Sequence, residues 1–141
     1  MQNKAILLIL LMLSCSAYSQ TILGNWKTID DDTGKARSII SIYEEDGMVY
    51  GKIIDILDEE KVNKKCIKCR GDRKNKPILG MIIMENLKKS DDKCYTGKIL
   101  HPGKGKKFRC KAWINGENPN ELFVRGYIAF LYRTQKWIRI S

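Results

Sequence analysis

Four of the five cysteines, one histidine and an arginine–tyrosine pair are the residues whose types and spacing could do chemistry here. Cys66-x2-Cys69 followed by Cys94-x15-Cys110 has the count, and part of the spacing, of a four-thiolate zinc site. In an oxidising compartment the same four thiols would form two disulfides instead. Four cysteines allow three connectivities. The expected pairing is Cys66–Cys69 within a long loop and Cys94–Cys110 across two neighbouring strands. The alternative is a bridge from Cys66 or Cys69 to Cys94 or Cys110, which would pin the loop to the rest of the fold. A Cys94–Cys110 bond needs Cα atoms within about 7 Å. A symmetric turn at residues 102–105 would set Cys94 near Trp113, so that bond requires a bulge or a shifted register. A redox role for Cys66-x2-Cys69 lacks the βαβ surroundings such motifs use. The reading is structural disulfides, with no metal and no cofactor.

His101 is the sole histidine, so any Ser-His or Cys-His pair would have to use it. It precedes Pro102 in a turn, where exposure is the default. The acidic groups Asp30–Asp32 and Glu44–Asp46 also read as turns rather than as a carboxylate dyad or a calcium loop. Gly103-Lys104-Gly105-Lys106 lacks the strand–loop–helix context of a phosphate cradle. No acid/base pair stands out, and the chain is not expected to be an enzyme.

Val124-Arg125-Gly126-Tyr127-Ile128 is the most suggestive binding segment. In a strand, Arg125 and Tyr127 share one face, and Val124, Gly126 and Ile128 share the other. Facing inward, Arg125 and Tyr127 would offer a cation and a phenol to a carboxylate-headed ligand with an apolar tail. Facing outward, they would be ordinary surface residues.

These residues need strands to position them. Thr21–Ile29, Arg37–Glu44 and Met48–Ile56 alternate apolar and polar side chains, and Asp30–Gly34 and Glu45-Asp46-Gly47 read as the turns between them. Residues 57–77 break the pattern. They carry eight basic and four acidic side chains and the Cys66/Cys69 pair. A loop that long is uncommon unless tied down or functional. Further strands are expected at Ile78–Glu85, Cys94–Leu100, Lys106–Ile114, Glu121–Phe130 and Arg133–Ile140. Eight strands at hairpin spacing predict an all-β fold, a single antiparallel up-and-down barrel. Closure would also remove exposed sheet edges.

Residues 1–20 read as a secretory signal peptide. Lys4 gives a positive start, Ala5–Leu13 an apolar run and Ala17-Tyr18-Ser19 a small-residue cleavage site. A lipoprotein anchor through Cys15 is the rival reading, poorly served by Met12 and Leu13. The barrel domain is then 21–141, exported to the periplasm or the medium. The chain's formal net charge is +10. Residues 21–60 carry four basic and ten acidic side chains, and residues 61–141 carry twenty-one and six. A basic surface facing anionic lipid or glycan explains this better than nucleic acid, which export puts out of reach.

Trp26, on the first strand, suits the closed end of a barrel, with a late arginine, Arg133 or Arg139, stacked on its ring. Gly24-Asn25-Trp26, Gly97-Lys98-Ile99-Leu100 with Pro102, Gly105-Lys106 and Phe108, Val124-Arg125-Gly126-Tyr127 and Arg133-Thr134-Gln135 with Trp137 resemble the DUF2147 family of secreted bacterial proteins. The loop Cys66-x2-Cys69-x-Gly71 and Pro77-Ile78-x-Gly80 match as well. The chain departs from the family's usual pattern at His101 and Tyr132. The resemblance implies a lipocalin-like, calycin-type barrel and no established reaction. The expected function is binding of a small apolar or amphipathic molecule. Trp26 and Arg133 would close the base, Arg125 and Tyr127 would face the ligand, and Trp137 joins these four as a candidate ligand-binding residue. The alternative is a structural or interaction protein of the cell envelope, with a filled barrel and a basic docking face.

Overall fold

The computed structural model describes residues 21–90 and 93–141. The signal-peptide and Cys15 readings fall on residues outside these. Eight antiparallel strands run in chain order: β1 (Gly24–Ile29), β2 (Ala36–Glu45), β3 (Met48–Ile56), β4 (Ile82–Lys89), β5 (Cys94–His101), β6 (Lys106–Asn115), β7 (Asn118–Ile128) and β8 (Leu131–Arg139). Each pairs with the next, and β1 pairs with β8, so the sheet closes into a barrel. The up-and-down barrel expected from the strand spacing is therefore the fold.

Alternation sorts the side chains. Trp26, Ile40, Ile42, Val49, Ile53, Met84, Leu87, Ala112, Leu122 and Trp137 are buried in one cluster. Met84 occupies the volume that Gly51 leaves open: a Cβ at Gly51 would lie 2.8 Å from its sulfur. Closure is the narrowest seam, with Trp26 opposite Arg139 and Lys27 opposite Ile138. Asn25 extends it, donating its N–H to the Ser141 carbonyl at 2.8 Å and accepting from the Ile140 N–H at 2.9 Å.

Most strand boundaries move by one to four residues from the sequence expectation, the fourth and seventh strands the most. The fourth strand starts at Ile82, not Ile78. Residues 78–81 turn instead: Gly80 has φ +88° and donates to the Ile53 carbonyl, and Ile53 donates to that of Met81. The seventh strand begins at Asn118 and ends at Ile128, leaving Ala129-Phe130 as the turn.

The connections alternate between two ends. The β2–β3, β4–β5 and β6–β7 turns lie at one end, with residues 21–23 and 140–141; this is the base. The β1–β2, β3–β4, β5–β6 and β7–β8 connections lie at the other, the mouth. The β3–β4 connection is the cysteine loop. It carries two short 3-10 turns, Glu59–Lys61 and Gly71–Arg73. Its Cys66 and Cys69 form the expected disulfide, with Cα atoms 5.3 Å apart. Both cysteines are buried.

The loop rests on the β5–β6 turn. Cys66 Sγ lies 3.3 Å from the Pro102 carbonyl oxygen. Gly105 has φ +63°, and a Cβ there would lie 2.0 Å from the Lys68 carbonyl oxygen. Only glycine satisfies both the left-handed backbone and that approach. Leu100 is 5% exposed although its neighbours Lys98 and Lys107 are outward, because the loop covers it.

The Cys94–Cys110 bond is not formed; Cys110 carries a free thiol. The β5–β6 register is unbroken, pairing Cys94 with Trp113 and Gly97 with Cys110. The two cysteines are thus three pairs apart and on opposite faces of the sheet, since Cys110 points inward with Ala112. No group of three or more metal-ligating side chains occurs among the described residues.

Candidate functional site

The base is sealed. Trp26 is fully buried, and its indole N–H donates to the Ile22 carbonyl at 2.8 Å. Arg139 lies across its ring, Cζ 4.2 Å from the centroid. The same guanidinium donates to the carbonyls of Leu23 at 2.9 Å, Thr21 at 2.6 Å and Pro119 at 3.4 Å. It thereby ties the segment before β1 to the start of β7. Partial burial pulls the Arg139 pKa below its ordinary value, though a guanidinium stays charged. Gly24 makes the approach possible: its φ is +131°, and a Cβ would lie 2.6 Å from the Ser141 carbonyl oxygen. The expected tryptophan plug is present, with Arg139 as its arginine.

Arg133 does not take part. It lies on the same face of β8 as Arg139, six residues away, which is about 20 Å at strand rise. That places it at the mouth. Arg133, Gln135 and Trp137 alternate inward along β8, opposite Gly126, Val124 and Leu122 of β7. They form a polar chain. Trp137 donates its indole N–H to Gln135 Oε1 at 3.1 Å, and Gln135 reaches Asp31 Oδ2 at 3.5 Å. Arg133 pairs with Asp31 at 3.1 Å and with Asp32 at 3.9 Å. Trp137 is 2% exposed, and its contribution is to the barrel core below the mouth rather than to the base plug. Asp31 is the residue that sequence reasoning read only as a turn former. Its signal was the run of three aspartates, more than a turn requires.

The mouth is unfilled at one wall. Gly126, opposite Cys110 and Arg133, has no atom within 4 Å of where its Cβ would be. This contrasts with Gly51 and Gly97, whose places are taken by Met84 and Leu87. Beside this space stand Cys110 and Arg133, the latter paired with Asp31. His101 stands at the rim, its Nδ1 accepting from the Lys104 N–H at 3.2 Å. Desolvation first, then the charges of Lys104, Arg37 and Arg133, hold its pKa below the ordinary value. Burial pushes the Cys110 thiol up to about 12. The arrangement offers an uncharged pocket floor under a rim of guanidinium, imidazole and carboxylate.

Arg125 and Tyr127 face outward, opposite in parity to Val124 and Gly126. Arg125 donates to Thr134 Oγ1 at 2.8 Å and stacks between Tyr132 (4.3 Å) and Trp113 (5.0 Å). Tyr127 pairs with Tyr132 at 6.2 Å. Of the five residues expected to hold a ligand, the structure brings only Arg133 to the mouth. A second concavity, about 440 Å³, lies outside the barrel between the cysteine loop and β5–β6, lined by Cys69, Arg70, Arg73, Leu100 and Lys107. Arg73 and Lys107 are already paired there with Glu85.

No curated protein matches the chain. Among solved structures it is similar to protein HP1028 from the human pathogen Helicobacter pylori, described as belonging to the lipocalin family. The identity is 21%, the match covers 86% of this chain and 84% of that one, and the TM-score is 0.72. That likeness establishes a lipocalin-like fold. The sequence pattern of DUF2147, uncharacterised proteins conserved in bacteria, matches residues 24–139, from the plug glycine to the plug arginine, and the chain belongs to this family.

Proposed function

We propose that the protein is an exported, non-enzymatic carrier that holds a small apolar or amphipathic molecule in the mouth half of its barrel. The observation that carries this reading is the open space at Gly126, at the end opposite the Trp26–Arg139 plug. Gly126 faces inward beside Cys110 and Arg133, and the side chain it lacks leaves room there for part of a ligand. The floor is uncharged and the rim mixed in charge, which fits a ligand whose tail enters first and whose anionic head meets Arg133 in place of its Asp31 and Asp32 partners. Export to the periplasm or medium is consistent with the oxidised Cys66–Cys69 pair.

Titration with straight-chain carboxylates of increasing length, read by tryptophan fluorescence, tests this. Saturable binding with an optimum length is expected, weakened by Arg133→Ala. A flat response across the series, with no saturable signal, contradicts it.

A further inference from the structure

The β7–β8 hairpin projects from the mouth with an unusual gradient along its length. At its tip, Phe130 is 89% exposed, Leu131 62% and Ile128 53%. One step down, Tyr127 and Tyr132 form a pair. Below them Arg125 stacks on Tyr132, and Arg109 of β6 lies 5.9 Å from the Tyr127 ring. Arg125 is three residues from Ile128, about 10 Å along the strand. So the order is apolar side chains, then phenols, then guanidiniums. An isolated soluble surface gains nothing from three exposed large apolar side chains clustered at one hairpin tip.

A second element repeats the pattern at the same end. Ile67, at the tip of the cysteine loop, is 74% exposed and is flanked by Lys64, Lys65, Lys68 and Arg70. The loop is seated on the β5–β6 turn, and β6 pairs with β7. Both apolar groups therefore lie on connections at the mouth end, the cysteine loop resting on the β5–β6 turn next to the β7–β8 hairpin. The base is less basic: Glu44, Glu45 and Asp46 cluster where β2 meets β3 and Glu117 lies between β6 and β7, against Lys88, Lys89 and Lys93 around the β4–β5 connection.

We infer that the mouth end docks on an anionic phospholipid bilayer, with Phe130, Leu131 and Ile67 entering the interface and the flanking cations meeting phosphates. Membrane interfaces ask for this order: apolar groups deepest, amphipathic rings at the headgroup level, cations at the anionic surface. The charge complementarity selects lipid over a neutral partner surface. Docking there points the open end of the barrel at the bilayer. The inference does not depend on a cargo being carried.

The test is co-sedimentation of the chain from Thr21 onward, which contains every strand, with vesicles of phosphatidylglycerol and phosphatidylcholine. Binding is expected to the mixed vesicles and not to pure phosphatidylcholine, and to fall as salt rises. Phe130→Ser with Leu131→Ser should reduce binding about tenfold or more, from the lost apolar burial. Both side chains are exposed, so folding should be intact, checked by circular dichroism. Lys68→Glu with Arg70→Glu should reduce binding independently. Gly126→Leu, which fills the mouth, should bind vesicles as the parent does. No sedimentation with anionic vesicles at low salt, or undiminished binding by the serine variant, overturns the inference. So does a dimer in sedimentation velocity that the serine variant abolishes while vesicles bind neither form; the patch would then be an interface between copies.

Discussion

Arg139 lies flat on Trp26, Cζ 4.2 Å from the ring centroid, while the same guanidinium holds three backbone carbonyls. One side chain thus closes the barrel seam and caps its core. Trp26→Ala is expected to cost about 3–5 kcal/mol, and Arg139→Ala about 2 kcal/mol from its carbonyl bonds. The double variant should fall short of the sum by about 0.5–2 kcal/mol. Arg139→Lys should not restore stability, because an ammonium cannot stack and fork at once. Urea unfolding of the parent and the four variants checks this. Strict additivity would show that the stack carries no energy.

Gly105 is the seat of the cysteine loop. Gly105→Ala should unseat it, since the Cβ would fall on the Lys68 carbonyl and φ is +63°. Gly116→Ala serves as control, with nothing within 4 Å. Limited trypsin digestion should cut within residues 61–76 of the Gly105 variant well before the control. Equal digestion would mean the loop is held elsewhere.

His101 gives the fold a pH dependence. Its folded pKa lies below the ordinary 6.5, so the unfolded chain takes up the proton first as pH falls. Stability should therefore decline as pH drops through about 6.5, and level off below the folded pKa. Protonation also removes the Nδ1 acceptor for the Lys104 N–H. His101→Asn should flatten this decline in denaturant midpoints between about pH 7 and 5. An unchanged profile in the variant would assign the decline to carboxylates.

Cys110 should resist alkylation in the folded protein. Its thiol is buried and its pKa is about 12, so little thiolate exists at neutral pH. Iodoacetamide labelling followed by mass spectrometry should modify Cys110 only after denaturant is added. Rapid labelling of the native protein would mean the mouth opens deeper than the structure indicates.

Much of this was legible in the chain. Alternation and Asp-Gly turn chemistry located β1 to β3, and Trp26 announced the plug. What escaped was geometry set by long-range contact. Arg133 and Arg139 share one face of β8, and only the barrel's ends decide which meets Trp26. Ile78 and Leu79 look like strand residues, and only the Gly80–Ile53 bond shows the turn. Whether Arg125 and Tyr127 point in or out is a one-residue question of register, which alternation poses and cannot answer. Cys94 and Cys110 turned on the same parity. Open space at Gly126 has no sequence signature, because an inward glycine is written the same way whether its place is filled or empty.

The central claim is that the barrel is plugged at Trp26 and open at Gly126 to a cargo. Native mass spectrometry of the protein from its own host, beside its Gly126→Leu variant, tests it most directly. The account predicts an added mass on the parent that leaves on denaturation, and a bare variant at least as stable as the parent. A bare parent, or an adduct that survives the filled mouth, would contradict it.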